Sequence, residues 1–422
     1  MAEPDAATPC RSQTEGQMAP EWTVRVLRTL AEVEEIRPWW EGSKGNPDGD
    51  IDVYLSCFRA GAKTVRPHVI VIYRKGLPDA ILVGRIDRTT IHFRIGYLQF
   101  GLEATILFFV AGALRGSPSS ENHELFVQEI CRSLSRREAD VASLNLLRID
   151  SELFKLARTI PSFARRDHFC AVQPHFTVPL PKSSEEFYRS LGSKTRQELR
   201  RKQQKLERDI SGPIRIRCFR EAAEFDEAIQ AAEEVAKKSY LRGLGVGFDV
   251  GAETRELLRV KSQKGWLRTY VLYAGDRPVA FWMGDLLEGT FGGNFTGYDP
   301  DIAKYSPGMY LMAKVIEGFC NSSEATVAKI DFGPGGAPYK ASLGKSEGDE
   351  ASVHIFSWSL KGVELNLLRT LTAAIHEPLK RALEKTKLLA RIKKAWRNRA
   401  GEKARGVAQD GTNSLLVEGD KR

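Results

Sequence analysis

Residues 267–298 read LRTYVLYAGDRPVAFWMGDLLEGTFGGNFTGY, and this stretch decides the fold. It predicts three strands separated by connections of a few residues that contain Gly and Asp: Leu267–Tyr273, Pro278–Leu286 and Thr290–Tyr298. Connections as short as these join antiparallel neighbours. The stretch therefore predicts an antiparallel meander.

The segment Tyr305-Ser306-Pro307-Gly308 follows the meander and opens a predicted helix over Gly308–Cys320, before a predicted strand over Val327–Phe332. Pro and Gly at a helix start leave backbone N–H groups unpaired, and these donors coincide with the positive end of the helix dipole. Such a start attracts phosphate, and glycine lets a ligand come close to the backbone. An ordinary helix start with the same residues is the alternative.

A second informative segment is Asp331-Phe332-Gly333-Pro334-Gly335-Gly336-Ala337-Pro338-Tyr339-Lys340. Asp331 ends a predicted strand, where a carboxylate can face a cleft. The rest is too rich in Gly and Pro to predict a helix, and it brings Tyr339 and Lys340 together. A tyrosine can act as a general acid, and a carboxylate as a base or as a group that orients an acceptor. The alternative is a strand-end turn with a buried Tyr and a solvated Lys.

The rest of the chain suggests a division into parts. Residues 22–180 alternate strand and helix signals in an order similar to that of the second half, which indicates two related α+β units. We predict five parts: a disordered tail 1–20, a first unit 21–180, a second unit 181–360, a basic helical extension 361–405 and a disordered tail 406–422.

Three segments in this order resemble the GNAT superfamily of acyltransferases, in particular its CelD-like branch and the related FemAB-type tandem enzymes. They are Gly297-Tyr298-Asp299, Tyr305-Ser306-Pro307-Gly308, and Asp331-Phe332-Gly333 with Pro338-Tyr339-Lys340. The basic segment Ser193-Lys194-Thr195-Arg196 is similar to the helix that opens this domain type. The resemblance covers about residues 181–358.

The resemblance implies an α+β fold of two tandem GNAT-like domains with mixed, mainly antiparallel sheets, and a C-terminal helical extension. It implies direct transfer from acetyl-CoA or another acyl-CoA to an amine or hydroxyl of a sugar, nucleotide sugar or envelope-related metabolite; CelD points towards exopolysaccharide work. Asp331 and Tyr339 are the expected catalytic residues. The expected cofactor contacts are Asn294, next to backbone donors for the thioester carbonyl, and Ser306, Gly308 and Met309 for the pyrophosphate.

Four further residues are expected to touch the substrate: Tyr240, Arg242, Lys340 and Arg196. Tyr240 and Arg242 open the glycine-rich stretch Tyr240–Phe248, which in the family context is a loop over the acceptor site. That stretch lacks the spacing of a dinucleotide-binding loop. Arg196 lies in the basic segment 193–209, where Lys194, Arg200 and Arg201 are other candidates for an anionic ligand. A leucine-packed helix with a solvated basic face is the favoured alternative there.

The chain carries a net charge of +9, and much of it lies in two segments, Lys194–Arg208 and Lys380–Arg405. Residues 380–405 contain eleven Lys or Arg against two Glu. They predict contact with an anionic membrane surface or an acidic partner, or packing on the protein itself. Nucleic acid is not expected as a partner, except tRNA if the donor is an aminoacyl-tRNA, as in FemAB-type enzymes. A third hypothesis is a non-catalytic scaffold recruited to the membrane through the C-terminal helices.

Composition sets the remaining expectations. Hydrophobic residues make up 42% and charged residues 28% of the chain, which is typical of a globular protein. The six cysteines form no CxxC pair and the seven histidines show no ligand spacing, so no metal is expected. No Ser-His-Asp constellation is apparent. Without a signal peptide or spanning segment, the expected location is the cytoplasm, with peripheral contact to the inner face of the membrane as an option.

Overall fold

The architecture is known from a computed structural model, which describes residues 22–43, 45–61, 63–95, 98–210, 212–238, 248–321 and 327–384. Its centre is one continuous mixed sheet of 13 strands. Tyr240 and Arg242 lie outside the described residues, as do residues 385–422 and the N-terminal tail.

Seven strands come from the first half of the chain: β1 Trp22–Leu27, β2 Thr64–Pro67, β3 Val69–Arg74, β4 Leu77–Ile95, β5 Leu98–Gly116, β6 Val141–Arg148 and β7 Val172–Pro179. Six come from the second half: β8 Ile214–Phe219, β9 Leu267–Ala274, β10 Arg277–Leu287, β11 Thr290–Tyr298, β12 Lys329–Pro334 and β13 Lys345–Phe356. The meander predicted from residues 267–298 is therefore confirmed as β9, β10 and β11, paired antiparallel.

The helices of the first half are α1 Leu30–Glu35, α2 Arg37–Gly42, α3 Ile51–Ala60, α4 Ser120–Ser135 and α5 Glu152–Thr159. Those of the second half are α6 Ser184–Ser190, α7 Ser193–Asp209, α8 Phe225–Lys238, α9 Ala252–Gln263, α10 Pro307–Asn321, α11 Pro338–Leu343 and α12 Leu360–Glu384. Short polar side chains begin several of them: Asp50 caps α3 and Ser119 caps α4.

The two halves repeat one pattern. In the sheet, β1-β3-β4-β5-β6 in the first unit matches β8-β9-β10-β11-β12 in the second. In each unit the first four of these strands pair antiparallel, and the last two pair parallel across a helix, α4 or α10. The fold is thus two tandem, related α+β units with a mixed sheet and a C-terminal helical region, as predicted.

The two units exchange their last strands. The sheet runs β6-β13-β7-β12, so β7 from the first half pairs with β12, and β13 from the second half pairs with β6. The two exchanged strands also pair with each other. The division of the chain at residue 180 stays a prediction, and this exchange makes one sheet of both units.

The second unit has a core on each face of its sheet. Trp282 of β10 packs on one face with Leu199 and Leu206 of α7 and Leu311 of α10. Its neighbours in β10 alternate to the other face, where Phe281 packs with α8 and α9. The two buried leucines of α7 confirm the leucine stripe predicted for the basic helix.

One local prediction was wrong. Pro338 starts the short helix α11 within the segment predicted to be non-helical, because proline suits the first helical turn. Elsewhere, residues 184–209 form two helices, α6 and α7, because Leu191 between them has an extended backbone. Residues 77–116 form a hairpin of two 19-residue strands, and helix α12 continues through Pro378.

Candidate functional site

The parallel strands β11 and β12 form a fork in the second unit. They pair over only three rows, from Thr290 with Lys329 to Gly292 with Asp331. Beyond these rows β11 keeps its pairing with β10, and β12 keeps its pairing with β7. The facing edges of β11 and β12 therefore have no partner strand among the described residues, and their backbone donors face the opening.

A β-bulge sits on β11 just inside the fork. Gly284 of β10 pairs with Gly293 and Met283 pairs with Phe295, so Asn294 is the additional residue. A bulge leaves its extra residue out of the ladder and re-aims the backbone there. Position 293 must be glycine, because a Cβ would come within 2.5 Å of the Trp282 indole nitrogen. Asn294, which was predicted to contact the acyl donor, is therefore the bulged residue of β11.

Two charged residues, Asp285 and Lys261, fix the position of the Asn294 side chain. Its Nδ2 donates to Asp285 Oδ2 at 2.7 Å. The same carboxylate oxygen accepts from the buried Lys261 ammonium at 2.5 Å, and Lys261 also reaches Asp48 of the first unit at 2.7 Å. The bulge is thus fixed through α9 to the other half of the molecule.

The start of α10 lies after the end of β11 and presents free donors. Ser306 has a left-handed backbone (φ 52°), which ends the preceding 3-10 turn and redirects the chain into the helix. Within the described part of the chain, no hydrogen bond is recorded for the backbone N–H of Gly308 or Met309. Lys202 of α7 donates from Nζ to Ser306 Oγ at 2.8 Å and also pairs with Glu198 of its own helix at 2.8 Å. A cation and unpaired N–H groups therefore meet at the predicted phosphate position.

Asp331 ends the paired part of β12 and belongs to a charged cluster. Its Oδ1 lies 2.8 Å from His175 Nε2 on β7, and His175 Nδ1 lies 3.0 Å from Glu350 Oε1 on β13. The carboxylates of Asp331 and Glu350 raise the pKa of His175 to about 9. Burial acts to raise the pKa of Asp331, but the His175 ring and the Gly333 N–H hold it below its usual value. At neutral pH the His175 ring is therefore an imidazolium beside the Asp331 carboxylate.

Tyr339 and Lys340 lie on α11, beyond the glycine-rich turn. Tyr339 is half-buried against the core that α10 also packs on, with its ring edge-on to Phe332, and burial raises the pKa of its phenol. Lys340 is buried, and its Nζ donates to the carbonyls of Pro334 at 2.7 Å and Gly333 at 3.3 Å. Lys340 thus ties the turn after Asp331, while its contact with substrate stays a prediction.

Arg196 lies near the start of α7, where its Nη1 donates to the Tyr188 carbonyl at 3.5 Å. Of the basic residues in this helix, the one placed at the α10 start is Lys202, which was not among those predicted. Lys202 is three residues after Leu199 and four before Leu206. That helical spacing puts it beside the leucine stripe, so the pattern held a signal for it.

The corresponding fork of the first unit is closed. Strands β5 and β6 pair from Ile106–Val141 to Phe109–Leu144, and the Asn145 amide then donates to the Phe109 carbonyl at 2.6 Å. Helix α4 is capped by the Ser119 hydroxyl, which accepts from the Asn122 N–H. Acidic residues surround this helix start: Asp79, Glu121 and Glu152.

A Ser-His-Asp constellation is present where the exchanged strand β13 pairs with β6 of the first unit, although none was apparent in the sequence. His354 Nε2 lies 3.4 Å from Ser143 Oγ, and its Nδ1 lies 3.1 Å from Asp167 Oδ2. These residues come from three distant segments, so no local pattern could show them. Arg369 of α12 pairs with both Asp167 oxygens, at 3.0 and 2.9 Å. The cluster joins α12 to the sheet.

Two kinds of feature are absent from the described ranges. No group of three or more His, Cys, Asp or Glu side chains there could hold a metal ion. None of the helices so described is both long enough and apolar enough to cross a membrane.

Comparison with known proteins finds a similarity in the second unit. Residues 193–341 match the family model described as an acetyltransferase (GNAT) domain. This range contains α7, the meander, the fork, α10 and Tyr339. This part of the chain is therefore similar to a GNAT domain. No curated protein matches the chain in sequence.

Solved structures with similar folds include three that span about four-fifths of this chain. FemX is 8% identical over 80% of this chain and 98% of its own, with a TM-score of 0.49. A tandem GNAT protein from the clavulanic acid biosynthesis pathway is 9% identical over 79% and 98%, with a TM-score of 0.45. A protein of unknown function from Bacteroides thetaiotaomicron is 13% identical over 79% and 100%, with a TM-score of 0.47. Identities and scores this low say nothing about substrate.

Proposed function

We propose that the protein is an acyltransferase that binds acyl-CoA in the fork of the second unit and transfers the acyl group directly to an amine or hydroxyl. One observation carries the proposal. The open fork between β11 and β12 leads to a helix start with unpaired N–H groups at Gly308 and Met309 and with Lys202 beside it. A pyrophosphate suits this start, because backbone donors, helix dipole and lysine all favour negative charge.

In this proposal the β-bulge at Asn294 polarises the thioester carbonyl of the acyl donor. The thioester carbonyl would accept from backbone N–H groups near Asn294, which the ladder leaves free. The Tyr339 phenol, whose pKa is raised by burial, stays protonated at neutral pH and can donate its proton to the thiolate that leaves as the C–S bond breaks. The acceptor loses its own proton to solvent as its bond to the acyl carbon forms, and solvent returns a proton to the phenolate. Direct transfer needs both substrates side by side, and much of the rate then comes from positioning.

Asp331 is better suited to orienting the acceptor than to removing its proton. Its pKa is lowered, so it is a weak base, and the neighbouring His175 is protonated until about pH 9. A carboxylate in this state can still accept a hydrogen bond from an amine or hydroxyl. The CelD-like resemblance favours a sugar, nucleotide sugar or envelope-related metabolite as this acceptor.

An aminoacyl-tRNA donor, as in FemAB-type enzymes, is a second candidate. Helix α7 exposes Lys194, Arg200 and Arg201 to solvent, and an exposed basic face can contact a phosphate backbone. Binding of unfractionated tRNA that weakens steeply between roughly 50 and 200 mM salt would support this donor. Salt-independent or absent binding would remove it.

The first experiment is calorimetric titration with acetyl-CoA and with free coenzyme A. Binding is expected in the native protein and absent in Gly308→Glu, whose carboxylate would lie at the phosphate position. Gly318→Glu is the matched control, because Gly318 is on the same helix and a Cβ there meets no atom within 4 Å. Loss of binding in both variants would indicate damage to α10, and no binding by the native protein at millimolar ligand would overturn the acyl-CoA proposal.

A further inference from the structure

Helix α12 exposes a continuous apolar stripe. Its members lie three or four residues apart on one side of the helix, and all are about half exposed or more: Leu360, Val363, Leu367, Leu371 and Ile375. Leu360 is 93% exposed and Leu371 46%. Trp358, two residues before α12, is also largely exposed, as is Phe163, whose 3-10 turn contacts α12. Apolar patches of this extent mark contact surfaces.

The opposite side of α12 is fixed to the first unit. Leu365 is fully buried, Asn366 donates to the Ala164 carbonyl at 2.7 Å, and Arg369 pairs with Asp167. The helix is therefore held in one orientation by contacts that do not involve the stripe. The stripe is not needed for packing against the sheet.

The charge of the following segment indicates what covers the stripe. Residues 380–405 carry eleven Lys or Arg and two Glu, an excess equal to the whole chain's net charge of +9. A second copy meeting this stripe would bring an equally positive segment beside the first. An anionic bilayer offers apolar depth for the leucines and negative headgroups for the lysines and arginines, each worth about 1 kcal/mol near such a surface.

We propose that the exposed stripe of α12 is a docking surface for an anionic lipid bilayer. The stripe lies in the interface with its leucines among the acyl chains, and the basic segment that follows contacts the headgroups. The catalytic proposal does not depend on this surface, because the stripe contains no residue of the fork or of the α10 start.

Co-sedimentation of the full chain with vesicles tests the docking surface. With phosphatidylcholine and phosphatidylglycerol at 7:3, the native protein should bind, and the double variant Leu367→Glu/Leu371→Glu should bind at least about tenfold more weakly. Leu77→Glu is the matched control, since Leu77 is 72% exposed outside the stripe. Vesicles of phosphatidylcholine alone, or about 0.5 M salt, which screens surface charges strongly, should also reduce binding by about tenfold.

Two other occupants of the stripe give different results. If a second copy covers it, light scattering will show a native dimer that the double variant dissociates, and vesicles will not bind. If residues 385–422 fold back on it, the double variant will melt at a lower temperature and vesicle binding will be the same in both proteins. Either result overturns the proposal. Calorimetry with acetyl-CoA, expected to be unchanged in the double variant, keeps this test separate from the catalytic one.

Discussion

The two units place the same elements around a parallel strand pair, but only the second leaves the pair open. In the first unit the Asn145 side chain takes the Phe109 carbonyl at the point where β5 and β6 part. In the second unit, among the described residues, no side-chain hydrogen bond joins β11 and β12 at the corresponding point. The first helix start is capped by Ser119, and Arg74 pairs with two of the carboxylates around it. Beside the second start lies Lys202, which donates to Ser306 and pairs with Glu198.

This difference shows how one fold can be either a support or a binding site. A hydroxyl cap satisfies a helix start from within the chain, and nearby carboxylates repel phosphate. A start without a cap, next to a lysine, leaves backbone donors free for an external anion. The repeat of strands in the two units is therefore compatible with a single donor site.

The strongest test of this difference between the units is the number of acetyl-CoA binding sites per chain. Acetyl-CoA should bind at one site per chain, and Gly308→Glu should remove all measurable binding, because the first helix start is already capped. Calorimetric stoichiometry measures both. Two sites, or a residual site in the variant, would show that the first fork also binds the donor.

Tyr339→Phe removes the proposed acid while keeping the ring against Phe332. In the first unit, α5 is the helix that follows β6, as α11 follows β12, and α5 contains no tyrosine. The variant therefore removes a difference between the two units. We expect kcat to fall by about 100-fold, in the range typical of a general acid, with KM for acetyl-CoA unchanged. Steady-state thiol release with the acceptor found by screening measures both constants. An unchanged kcat would remove Tyr339 from the mechanism.

Lys202→Ala tests the cation at the open helix start. Loss of one charge-assisted contact should weaken free coenzyme A binding by about tenfold, measured by calorimetry. Arg208→Ala is the matched control on the same helix, because Arg208 is exposed and, among the residues that the structure describes, forms an ion pair only with its neighbour Asp209. Equal losses in the two variants would mean that α7 acts through its general charge.

The smallest expected effects concern two histidines with opposite pKa shifts. Carboxylates raise the pKa of His175 to about 9, whereas burial lowers that of His68 in the first unit to about 3. Between about pH 6.5 and 9 the folded protein keeps a proton at His175 that the unfolded chain has lost, so stability should fall as pH rises. Below about pH 6.5 the unfolded chain protonates His68, so stability should fall as pH falls.

Chemical denaturation across this range checks the sign. His175→Gln should remove about 2 kcal/mol of the alkaline loss, a value reduced for partial exposure. A native profile that is flat from about pH 7 to 9 would contradict the raised pKa of His175.

Local patterns predicted the parts of the site that depend on neighbouring residues. The meander follows from alternating strands and short turns, and the α10 start from Ser306-Pro307-Gly308, because both are set by a few adjacent residues. His175 could not be predicted as a partner of Asp331, since it lies in the other half of the chain and reaches β12 only through the exchanged strand β7. The pairing of distant strands leaves no mark in a local window.

The exchange of β7 and β13 also bears on how the chain is made. Strand β6 of the first unit has no partner on one edge until β13, which ends at residue 356, has left the ribosome. The strands of the first half are all synthesised by residue 179. At roughly 5–20 residues per second this is a wait of roughly 10 to 35 s, during which the edge of β6 is unpaired. A nascent chain in that interval needs a chaperone or fast synthesis to avoid pairing with another chain. Neither half can be produced alone with its sheet complete.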